Sequence, residues 1–72
     1  MESLVAGMTI DEIKAVLGKP RQIGSCLQDT YLNYGRIWVV CRNGIATGYV
    51  PVELFQSPCA HSVLRDEKPF RK

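Results

Sequence analysis

The chain is short of nearly everything that advertises a chemistry. It has one histidine, and its six glycines are scattered, so no glycine-rich loop that cradles phosphate is present. Nine basic residues against seven acidic ones leave a net charge of only +2, which makes no electrostatic case for a nucleic acid or a membrane surface. No apolar run approaches the length needed to cross a bilayer. Met1-Glu2-Ser3 lacks the basic start of a secretory signal, and no long apolar stretch follows it. The chain therefore reads as cytoplasmic if Met1 is its native start, or as an exported domain without its leader. Internal repeats and low-complexity segments are also lacking.

Cysteine is present in an odd number, as Cys26, Cys41 and Cys59. At least one thiol stays free in a monomer, and sequence alone leaves the pairing open. In an oxidising compartment one disulfide is expected to be possible, and in a reducing one none. With His61 the three make a Cys3His set of the right size for tetrahedral zinc. The spacing argues against it, because zinc sites usually rest on a cysteine pair two to four residues apart. The plain expectation is no metal and no cofactor, with Cys41 buried in a strand and Cys26 and Cys59 in loops. Cys59 and His61 would share one face of a strand. However, a nucleophilic thiol also needs an oriented base and an oxyanion site, and neither is recognisable. Asp11 and Glu12 fit helix-start preferences, and Asp29, Glu53, Asp66 and Glu67 are scattered. Nothing here points to an enzyme or to a small-molecule substrate.

What the chain does have is an apolar fraction of 46%, enough for a core in a single domain of 72 residues. Thr9 to Pro20 carries the signals of one short helix. Thr9 and Glu12 make a capping box, and Met8 and Ile13 a hydrophobic staple. Ile10, Ile13, Val16 and Leu17 recur at helical spacing, Gly18 ends the helix in a left-handed conformation, and Pro20 stops it from resuming. Ahead of it, Leu4 and Val5 suit a short turn against the core. Arg21 to Asp29 is poorly patterned, with Gly24-Ser25 read as a bend.

From Asp29 the pattern alternates. Tyr31, Leu32 and Tyr34 predict a first strand, Arg36 to Arg42 a second, and Ile45 to Val52 a third, with Asn43-Gly44 as a hairpin turn. Ile37, Val39 and Cys41 fall on one face, Trp38 and Val40 on the other. The expected fold is α+β, with one or two short helices packed on a three-stranded antiparallel meander. The domain is expected over residues 1–56, with 57–72 as an extension that is either a weak helix or a disordered tail. In the helical version Ser57 caps, Pro58 takes the first position, and Ala60, Val63 and Leu64 face inward. Arg65, Lys68, Arg71 and Lys72, interrupted by Asp66 and Glu67, read as a solvated tail.

The helix covers one sheet face, leaving the face around Trp38 and Val40 open. Arg36, Trp38, Val40 and Arg42 are thus the expected partner-binding residues, for a protein partner or a second copy of the chain. The alternative is a cytosolic nucleic-acid module in which Arg36, Trp38 and Arg42 alternate cation and aromatic on that face.

The order of motifs adds a resemblance. Gly7-Met8-Thr9, Glu12-Ile13, Leu17-Gly18-Lys19-Pro20, Tyr31-Leu32-Asn33-Tyr34-Gly35, Val39-Val40-Cys41 and Asn43-Gly44-Ile45 resemble the BamE/SmpA/OmlA family of small envelope lipoproteins over roughly residues 4 to 52. A related architecture occurs in β-lactamase inhibitor proteins. The resemblance implies two short helices on a three-stranded sheet, no catalysis, and binding of partner proteins at the cell envelope, in the outer-membrane case within β-barrel assembly. Any membrane contact would run through a lipid anchor, and this sequence has no lipid-modified N-terminal cysteine. Cys41 also stands where the family carries an aromatic residue.

Overall fold

A computed structural model describes residues 7–70. The chain runs through helix α1 (Ile10–Leu17), strands β1 (Gln22–Cys26), β2 (Asp29–Asn33), β3 (Ile37–Arg42) and β4 (Ile45–Pro51), a 3₁₀ turn at Val52–Leu54, and helix α2 (Pro58–Leu64). The turn expected around Leu4 and Val5 lies outside the described residues.

Helix α1 forms as its local signals dictate. Glu12 N donates to Thr9 Oγ1 (3.2 Å), and Thr9 N donates to Glu12 Oε1 (2.9 Å), completing the capping box. Ile13 is buried with Leu32, Val39, Cys41 and Ala46, and Met8, Ile10 and Leu17 pack around them. Each such aliphatic burial contributes about 1.5–3 kcal/mol. The Tyr34 hydroxyl donates to Gly18 O (2.8 Å), pinning the helix end to the residue that follows β2. Gly18 departs from the expected left-handed cap: its φ of 85° comes with ψ of −161°, an extended mirror conformation.

The sheet has four antiparallel strands in the order β1-β2-β3-β4, one more than the sequence pattern indicated. The added strand is β1, in the stretch read as unpatterned. Its pairing Gln22↔Asn33 through Cys26↔Asp29 supplies what intrinsic propensity does not. Asn43 and Gly44, with φ of 57° and 80°, make the expected β3–β4 turn. A register shift at Val40/Cys41 then bends β4.

The second face of the sheet is not open. Tyr31, Trp38, Val40 and Val50 are buried there with Phe55 packed onto them. Trp38 and Phe55 stack with centroids 3.9 Å apart, and Phe55 stacks in turn on His61 of α2. The sequence pattern could not supply this cover, because Phe55 and α2 lie beyond the last strand. Helix α2 is therefore part of the one fold. Ser57 Oγ accepts from Ala60 N (3.2 Å) with Pro58 next to the cap, as expected. Its inner side is different: His61 and Ser62 are buried, while Val63 and Leu64 face outward. The rotation is set by the Cys26–Cys59 disulfide and by the Ser62 hydroxyl, which donates to Asp29 Oδ2 (2.6 Å).

The segment after α2 is also ordered against the sheet. Lys68 pairs with Tyr49 through both backbone groups (2.8 and 2.9 Å), and Phe70 stacks on Tyr49. Gly48 permits this approach, since a Cβ there would meet Lys68 O at 2.3 Å. The solvated tail anticipated for these residues is not seen over 65–70, and Arg71 and Lys72 lie outside the described residues.

Candidate functional site

Arg42 sits at the end of β3, on the α2 side of the sheet. Its guanidinium bonds Asp29 Oδ2 and is gripped by both carboxylate oxygens of Glu67 (3.0 and 2.6 Å). Thr47 Oγ1 adds a third donor to Glu67 (3.1 Å). The hydrogen bond that Arg42 donates to Glu67 raises the Arg42 pKa against the opposing effect of burial. Burial pushes the Glu67 carboxyl up. Hydrogen bonds from Arg42, its own backbone and Thr47 outweigh that and hold it below the usual carboxylate range. The Tyr31 hydroxyl is buried beside this cluster without a well-formed hydrogen bond, and burial raises its pKa. The cluster is a set of satisfied charges that ties the chain end to β2 and β3, with both sides consumed internally.

His61 resembles an oriented catalytic base but is fully occupied. Nδ1 lies 2.8 Å from Asp66 Oδ1, and Nε2 accepts from Gln56 N (3.0 Å). An acceptor at Nε2 requires the proton on Nδ1, so both ring nitrogens are committed in the neutral imidazole. The bond from His61 lowers the Asp66 pKa.

The candidate metal set is not brought together. Cys26 and Cys59 are bonded to each other, Cys41 is buried on the α1 face, and His61 lies on the α2 face. Cys59 and His61 stand two apart on a helix, not a strand, which turns them to different sides. Cys26 and Cys59 lie in β1 and α2 instead of the loops expected for them. Burial pushes the Cys41 thiol up to about 11, the behaviour of a packing residue.

The four residues expected to bind a partner are separated by burial. Arg36 is exposed, Trp38 and Val40 lie beneath the α2 side, and Arg42 is spent on two carboxylates. An alternating cation–aromatic surface of Arg36, Trp38 and Arg42 is not the geometry they adopt.

The two sheet edges differ. Along the outer side of β4, Gly7 N donates to Ala46 O (2.9 Å), Ala46 N donates to Met8 O (2.7 Å), and Tyr49 pairs with Lys68. That edge is sealed by the chain itself. At the other edge, Tyr34 N donates to Ile37 O, so Tyr34 faces β3. Alternation along β2 then turns Asp29, Tyr31 and Asn33 toward β1, where they meet Cys26, Gly24 and Gln22. Ile23 and Ser25 consequently point their N–H and C=O groups out of the sheet, and no described segment pairs with them. Ile23 is 58% exposed, and Leu27 in the following turn is 89% exposed. Sequence reasoning missed this edge. Its one available signal was Ile23 between the polar Gln22 and Ser25, too short a pattern to announce a strand.

No protein-family model matches the chain, and no curated protein or solved structure matches it either.

Proposed function

We propose that this chain is a small non-enzymatic protein-binding domain that offers the outer edge of β1, with Ile23 and Leu27, to a polypeptide strand. The observation that carries the reading is the contrast between the edges: β4 is covered by the chain's own backbone, whereas β1 presents amide and carbonyl groups that no described segment pairs with, beside exposed apolar side chains. The two side chains best suited to acid–base or anion chemistry are engaged within the fold, His61 at both nitrogens and Arg42 with two carboxylates. The resemblance to the BamE/SmpA/OmlA family supports binding over turnover and a place at the cell envelope. A Cys26–Cys59 disulfide suits such an oxidising compartment.

Site-specific photo-crosslinking tests the reading. A photoreactive residue at position 23 or 27 should join the chain to another polypeptide, and the same group on exposed Lys14 of α1 should not. Equal yields at all three positions would refute it.

A further inference from the structure

We propose that the strand seated on this edge is β1 of a second copy of the chain, running antiparallel about a two-fold axis at Gly24. The inference rests on the protein-binding reading and deepens it by naming the occupant.

The edge is complementary to itself. Its outward-facing residues are Ile23 and Ser25, symmetric about Gly24, so an antiparallel copy sets Ile23 of each chain opposite Ser25 of the other. The N–H and C=O of both residues in each Ile23–Ser25 pair are matched in that register. Gly24 then lies opposite Gly24, so neither copy places a side chain of its own strand at the axis. Pro58 covers Gly24 on the α2 side, where a Cβ would come within 2.8 Å of its ring. On the opposite, α1 side, Ile23 shares the face of its register partner Leu32, and the two Ile23 side chains meet diagonally across the axis. That contact removes apolar surface now in water.

Charge does not oppose the pairing. Gln22–Cys26 carries no charged residue, no proline and no bulge, the usual devices that keep an edge from pairing. Arg21 and the turn residue Leu27 flank β1 and lie outside the paired stretch. No cation faces a cation within it. The product is one continuous antiparallel sheet across two copies, closed at both far ends by the sealed β4 edges.

Sedimentation equilibrium on the disulfide-bonded chain, from micromolar to millimolar, is the test. The chain should show a monomer–dimer equilibrium. Ile23→Lys and Ser25→Pro should each weaken it at least tenfold, the first by burying charge and the second by removing an outward N–H. Val63→Lys, equally polar but on the outer side of α2, should leave it unchanged. Because Ser25→Pro can also perturb folding, a mixture of isotope-labelled and unlabelled chains provides a second readout. An intermolecular nuclear Overhauser effect between the two Gly24 α-protons is expected. A chain that stays monomeric at millimolar concentration, or a dimer indifferent to both edge variants, overturns the proposal. A monomeric chain whose position 23 still cross-links to a different polypeptide would sink the second-copy assignment and leave protein binding standing. Monomeric behaviour with no cross-link from the edge would remove both.

Discussion

Replacing Cys26 and Cys59 by serine should remove a large share of the stability of this fold. The bond joins residues 33 apart in sequence and ties the end of β1 to α2. For a loop of that size the chain-entropy relation gives about 12.5 cal/mol/K of lost unfolded-state entropy, or about 3.7 kcal/mol at 25 °C. A domain of 72 residues is expected to hold roughly 4–11 kcal/mol in total. The midpoint of thermal unfolding should fall by roughly 15–30 °C, taking about 4–8 °C per kcal/mol for a domain this small. Trp38 is the one tryptophan, and it stacks on Phe55 beneath α2, so its emission reports the part of the core that the bond secures. Urea unfolding of Cys26→Ser/Cys59→Ser, and of the native sequence with and without a dithiol reductant, measures the loss directly. A loss under about 1 kcal/mol with an unchanged denaturant slope would refute the reasoning. It would mean that Ser62 and His61 hold α2 without help from the sulfur bridge.

Acid should weaken the fold through Glu67. Its carboxyl is held below the ordinary value in the native state, so the native chain binds fewer protons than the unfolded one across that interval. The stability it contributes is complete above the unfolded Glu pKa of about 4.3 and is lost as pH falls through the lower native value. Glu67→Gln should flatten that part of a stability–pH curve and cost about 1.5–3 kcal/mol at pH 7; an unchanged curve would contradict the assignment. Tyr31→Phe should be neutral or stabilising by about 1 kcal/mol in urea unfolding, because it deletes a buried hydroxyl that has no well-formed partner. A loss above that size would show that the hydroxyl is bonded after all.

The parts of this fold readable from sequence are those whose causes are local. The Thr9–Glu12 capping box acts within one turn of chain, and Asn43-Gly44 needs only two residues that tolerate positive φ. The strand periodicity of residues 31–50 likewise reflects which side chains face the core. What escaped notice depends on distant partners. β1 is a strand because β2 pairs with it and Cys59 holds its end, not because Gln-Ile-Gly-Ser-Cys favours extension. The turn that follows places Leu27 at φ of 58°, a conformation that no leucine advertises. The face around Trp38 looked open because its cover arrives from Phe55 and from a helix whose inner side is polar. Glu67 looked like part of a solvated charge run until Arg42, 25 residues earlier in sequence, absorbed it.

Amide hydrogen exchange, resolved residue by residue and followed against protein concentration, probes the unequal edges most directly. In dilute solution Ala46 and Tyr49 should exchange slowly while Ile23 and Ser25 exchange fast, and raising the concentration should slow Ile23 and Ser25 alone. Slow exchange at Ile23 and Ser25 in dilute solution, or fast exchange at all four amides, would contradict the account.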